Sequence, residues 1–93
     1  MKYELVIREL TGNDLSRECK SIPEKGEVES YITSLVDDIG TIPNVSYVNR
    51  VNLTISIELS TNTNQLDLMR LMKPYFSNER YCFYRFVSLS IND

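Results

Sequence analysis

The twelve residues VESYITSLVDDI, positions 28–39, carry Val28, Tyr31, Ile32, Leu35, Val36 and Ile39 at intervals of 3, 1, 3, 1 and 3. That spacing gathers all six on one stripe of an α-helix, so the segment is read as an amphipathic helix with its apolar side on a core. Gly40 follows at the position where a left-handed residue would close the helix, and Pro43 prevents its continuation.

Upstream of this helix, TGNDLSRECKSIPEKGE (11–27) mixes Gly, Asn, Asp, Ser and Pro without a sustained period and reads as a connection. It is longer than compact domains usually tolerate, so it is expected to hold a short helical turn or to be a functional loop. Before it, Tyr3, Leu5 and Ile7 alternate with Lys2, Glu4 and Arg8. This is the period of a strand with one buried face, placed at 2–10, with Val6 making the other face less than fully polar.

Downstream, Val45 and Tyr47 begin a second strand, and Leu53, Ile55, Ile57 and Leu59 alternate with Asn52, Thr54, Ser56 and Glu58 in a third. Asn49-Arg50 would form the turn between them, because Asn tolerates positive φ; a single long bent strand is the competing reading. In the run TNTN (61–64), Asn64 stands at capping-box distance from Asp67 and opens a second helix. Its apolar residues Leu66, Leu68, Met69, Leu71, Met72, Tyr75 and Phe76 spread around the axis, so the helix is expected to be well covered, with its last turn kinked or ended at Pro74. RYCFYRFVSLSI (80–91), rich in aromatic and β-branched residues, is read as a long fourth strand.

The order β, α, β, β, α, β predicts an α+β chain with a four-stranded antiparallel sheet and both helices on one face, the ferredoxin-like βαββαβ arrangement, as one domain over residues 1–93. The second and fourth strands would then be sheet edges, which invite a homodimer. This fold hosts many functions and by itself licenses none.

Composition narrows the function classes. Of 93 residues, 42% are apolar and 25% charged, as in globular proteins rather than disordered chains. MKYELVIREL holds no apolar run long enough for a signal segment or a membrane span, so a cytoplasmic location is expected, with no membrane partner. Cys19 and Cys82 are distant and form no CxxC pair, and in that compartment they are expected to be reduced. Residues 1–43 hold nine acids and five bases, whereas residues 44–93 hold four acids and five bases. An acidic balance of this kind argues against wrapping of duplex DNA.

The sequence has no histidine, which removes the commonest general base, the usual nucleophile pairs and most zinc ligand sets. Its three glycines are separate, so no phosphate-cradling loop exists, and no cofactor is expected. Asp37 and Asp38 point about 100° apart on a helix and make a poor metal pair, while Cys19 has no base placed beside it. The chain is therefore not expected to be an enzyme or to bind metal.

Two features suggest binding. Asp37 and Asp38 lie in the last helical turn, where the macrodipole disfavours anions, and with Glu24, Glu27 and Glu29 they make an acidic surface suited to a basic protein partner. If Val87, Leu89 and Ile91 face the helices, strict alternation turns Cys82, Tyr84 and Phe86 to the open face of the sheet; a bulge near Arg85 would instead switch the phase and bury Phe86. The expected function is a non-catalytic inhibitor or regulator of a larger protein, with Glu27, Asp37, Asp38, Tyr84, Arg85 and Phe86 as partner-binding residues. The alternative is a single-stranded RNA- or DNA-binding module that stacks bases on Tyr84 and Phe86, with Arg8, Arg50 and Arg85 for phosphates. The stretch 80–87, RYCFYRFV, resembles the aromatic strand of RNA-recognition motifs in its aromatics. It departs from that pattern where Tyr and Cys replace the glycine and the small residue, and in lying in the last strand rather than the third.

Overall fold

The computed structural model describes residues 1–76 and 78–92. Strand β1 (Lys2–Arg8) is followed by helix α1 (Lys25–Gly40), the hairpin β2 (Val45–Val51) and β3 (Thr54–Leu59), helix α2 (Gln65–Met72) and strand β4 (Arg85–Ile91). The strands form one antiparallel sheet in the order β2-β3-β1-β4, with both helices packed on one face, a ferredoxin-like arrangement that leaves β2 and β4 as edges. Among the described residues no helix is long and apolar enough to cross a membrane.

Alternation decides which face of the sheet carries the core. Tyr3, Leu5 and Ile7 of β1 and Ile55, Ile57 and Leu59 of β3 are buried beneath Val28, Ile32, Leu35 and Ile39 of α1 and Leu68 and Met72 of α2. The helical stripe keeps its centre in this core, with Tyr31 and Val36 at its flanks. The opposite face carries Lys2, Glu4, Arg8, Ser56 and Glu58 and is mostly polar, as an uncovered face of an antiparallel sheet should be, with Val6 and the exposed Tyr47 and Val51 of β2 interspersed.

Helix α1 does not end on a left-handed glycine. It runs through Gly40 at negative φ and closes when the Thr41 amide bonds the Asp38 carbonyl at 3.0 Å and the Ile42 amide bonds the Ile39 carbonyl at 3.1 Å. The chain reverses instead at Asn44, with φ 74°. The hairpin also turns later than Asn49-Arg50. Val51 pairs with Thr54 across the two-residue loop Asn52-Leu53, and Asn52 supplies the positive φ of 56°. Arg50 remains inside β2, where its guanidinium bonds the Asn52 carbonyl and the Glu29 carboxylate, both at 2.8 Å.

The segment read as a long fourth strand divides in two. Residues Asn78–Cys82 form a 3₁₀ turn, and the strand begins only at Arg85. The 3₁₀ turn is held from several sides: Arg80 pairs with Asp38 of α1, Tyr31 donates to Glu79, and the rings of Tyr31 and Phe83 stack at 3.8 Å. Cys82 is joined to Cys19 in a disulfide, so the expectation of two reduced thiols is corrected. Cys19 is buried because the connection after β1 makes a 3₁₀ turn at Gly12–Asp14 and folds back, bringing the two Cα atoms within 5.3 Å.

This bridge spans a sequence separation of 63. Closing a loop of that length in the unfolded chain is worth about 4 kcal/mol on a chain-entropy argument. A Cys19→Ser, Cys82→Ser double variant is therefore expected to lose about that much unfolding free energy, measured by urea denaturation against the oxidised native chain; an unchanged midpoint would show that the bridge does not restrain folding.

Candidate functional site

Three groups of side chains have chemistry beyond core packing. The first lies at the end of the polar sheet face, where Arg8 and Arg85 are cross-strand neighbours. Asp14, carried on the 3₁₀ turn, accepts from both terminal nitrogens of Arg8 at 2.7 and 2.9 Å and from the Thr11 amide at 2.7 Å. Arg85 Nε lies 3.7 Å from the same carboxylate, and its guanidinium stacks 3.4 Å from the centre of the Tyr81 ring. The Arg8 hydrogen bonds, then the Thr11 amide, hold the Asp14 carboxyl well below the usual carboxylate range. The cluster fastens the loop that carries Cys19 to the sheet.

The second group surrounds the end of α1. Asp38 pairs with Arg80, whose guanidinium also sits 5.5 Å over the Tyr75 ring. Tyr75 donates to the Asp38 carbonyl at 3.3 Å, and Tyr84 donates to the Tyr75 carbonyl at 2.6 Å. Burial pushes the Tyr84 phenol up to about 12, so it stays a neutral donor through the physiological range. Asp38 thus offsets its place at the negative end of the helix dipole with a cation from the 3₁₀ turn.

The third group is a groove between α2 and the edge strand β4. Leu66, Met69, Arg70 and Lys73 stand at i, i+3, i+4 and i+7, a second helical stripe that the core does not use. With Met72, Phe76 and Phe86 they enclose about 400 Å³. The expectation of a well-covered α2 fails here: Leu68 and Met72 alone are buried, while Leu66 is 60% exposed and Leu71 46%. Phe86 closes the floor, its ring edge-on to Phe76 at 5.6 Å, and Val87 and Ile91 are further exposed apolar residues of the same strand.

Phe86 reaches this groove because β4 bulges. Val6 pairs with Ser88 and Ile7 with Phe86, so Val87 has no counterpart on β1 and the alternation changes phase around it. Tyr84 and Phe86 consequently lie on the helix side rather than on the open face. Tyr84 is 1% exposed and packs edge-on to Phe76 at 5.5 Å. A stacking platform for bases on the open sheet would need both rings there, and neither is.

The six residues singled out from sequence therefore scatter. Tyr84 is core, Asp38 is committed to Arg80, Arg85 is buried against Asp14 and Tyr81, and Glu27 and Asp37 are exposed on α1. Phe86 alone belongs to the groove. Leu66, Met69, Arg70, Lys73 and Phe76 were not singled out, although the stripe 66, 69, 70, 73 is readable in the sequence once Leu68 and Met72 are assigned to the core. Among the described residues no three Cys, Asp or Glu side chains converge as metal ligands would. No protein-family model matches the chain, and neither a curated protein nor a solved structure matches it significantly.

The Arg8–Asp14 pair makes stability depend on pH. Because the folded-state pKa of Asp14 is depressed, its contribution is complete above the unfolded carboxylate range and is lost as pH falls towards the folded value. The difference in Tm between the native chain and Asp14→Asn is expected to be largest near neutrality and to shrink steadily from about pH 5 to about pH 2. A pH-independent difference in scanning calorimetry would rule out a charged Asp14 as the source of the stabilisation.

Proposed function

We propose that this chain is a non-catalytic protein-binding module, acting as an inhibitor or regulator of a larger partner, and that it holds that partner in the groove between α2 and β4. The reading rests on one observation: a helix of eight residues turns Leu66 and Met69 outward beside Phe86, next to an unpaired sheet edge. An exposed apolar surface of this sort beside a sheet edge supports the reading, because such surfaces mark interaction sites. Groove floors built from Met and aromatic side chains suit this use, since both supply large contact area and Met adapts to what it meets.

The Cys19–Cys82 disulfide favours an oxidising compartment over the cytoplasmic location that the N-terminal composition suggests. The acidic side of α1 is a weaker candidate for the partner surface, because Asp38 and Glu29 are already paired with Arg80 and Arg50.

Affinity capture with matched baits tests the reading. The native chain is expected to recover a specific protein that a Leu66→Asp, Met69→Asp bait loses, whereas a Glu27→Gln, Asp37→Asn bait retains it. Both substitution pairs are on exposed positions, and circular dichroism checks that each variant folds. Retention of the protein by the groove variant, or its loss with the α1 variant, would move the interface away from α2.

A further inference from the structure

We infer that the groove takes an acidic amphipathic segment of a partner protein, one that places apolar side chains on the groove floor and carboxylates beside Arg70 and Lys73. The inference rests on the groove being the binding surface and adds the chemistry of its occupant. It comes from how the fold distributes its cations. Residues 44–93 contain five bases. Three of them are bound within the fold: Arg50 to Glu29, Arg80 to Asp38, and Arg85 against Asp14 and Tyr81. The other two are the groove residues. Among the described residues Arg70 has only the loose, exposed ion pair with Asp67 at 3.8 Å, and Lys73 has none.

Arg70 comes from the same stripe of α2 as Leu66 and Met69, and Lys73 caps the C-terminus of that helix as the first residue of the 3₁₀ turn Lys73–Phe76, so apolar contact and positive charge line one groove. The chain as a whole is acidic, with a net charge of -3, so this positive rim runs against its average composition. Carboxylates on the occupant would gain charge-assisted hydrogen bonds at the rim and faster encounter, while the apolar floor would supply most of the contact area.

A second copy of the chain fits less well. A two-fold contact sets the same patch against itself and would bring Arg70 and Lys73 towards their own equivalents. The bulge at Val87 also breaks the regular ladder that edge-to-edge pairing of β4 would need.

The test pans a random-sequence peptide display library against the immobilised native chain, then measures enriched peptides by fluorescence anisotropy. Enriched sequences are expected to combine apolar residues with Asp or Glu. Their affinity should fall about tenfold or more in Arg70→Glu, Lys73→Glu, and fall also in the native chain between about 50 and about 300 mM salt. Peptides lost by Leu66→Asp, Met69→Asp but indifferent to the charge reversal would overturn the acidic occupant and leave the groove reading standing. Binding indifferent to both changes, or no enrichment at all, would overturn both. Concentration-dependent self-association abolished by the charge reversal, seen by light scattering, would put a second copy in the groove and overturn the peptide.

Discussion

One surplus residue in β4 sets the character of both faces of this sheet. Leu89 packs in the core opposite Leu5, and Phe86 lies opposite Ile7, three residues away along the chain. Two residues three apart cannot share a face of a regular strand, whose side chains alternate with period two, so the strand must absorb one residue, and Val87 is that residue. Without the bulge, the core position of Leu89 would send Phe86 to the polar face and turn Arg85 inward beneath the helices. With it, Phe86 forms the groove floor and Arg85 joins Arg8 at the open face, where Asp14 and Tyr81 can reach it.

Much of the architecture was legible in the sequence because it follows from periodicity. The stripe from Val28 to Ile39, the alternations in β1 and β3, and the Asn64 cap, whose side chain accepts from the Asp67 amide at 2.9 Å, are local signals that the tertiary structure keeps. What was not legible depends on contacts between distant residues. Nothing near Cys19 or Cys82 indicates their pairing, because the fold back of the 11–24 connection brings them together. Residues 80–83 have strand-like composition, but Arg80 is drawn to Asp38 and Cys82 to Cys19, and those ties favour a 3₁₀ turn over β-propensity. Read from sequence alone, the turn falls at Asn49-Arg50 and Asn52 lies in the strand, whereas the fold turns at Asn52-Leu53. The choice between them is made by register, since a turn at Asn52-Leu53 lets Val48 and Arg50 lie opposite Ile57 and Ile55 on the helix side.

The candidate site was the least legible part, for a related reason. Reading function from charge pointed to the acids of α1, and reading it from aromatic content pointed to Tyr84 and Phe86. The fold then uses Asp38, Glu29, Tyr84 and Arg85 for its own ties. An ionic or aromatic group near a cluster of its kind in sequence says little until its partner in space is known. The groove became visible by subtraction, as the place in the second half of the chain where apolar and cationic side chains not used in internal pairs stand together.

The way α2 is held also bears on how it could bind. A helix of eight residues is too short to be stable alone in water, and two buried side chains, Leu68 and Met72, are a modest anchor. Polar ties complete the attachment: Asn64 caps the N-terminus, Gln65 donates to the Leu89 carbonyl on β4, and Tyr3 donates to the Thr63 carbonyl at 2.6 Å. These bonds fix the helix from its first turn and from beneath, and none of them draws on Leu66, Met69, Arg70 or Lys73. The outward stripe is therefore oriented before any partner arrives, and an occupant would not have to order it on binding. A surface made only of apolar side chains on a loosely packed helix would collapse onto its neighbours; here the backbone is tied down and the side chains are left over, which is the arrangement a preformed binding groove requires.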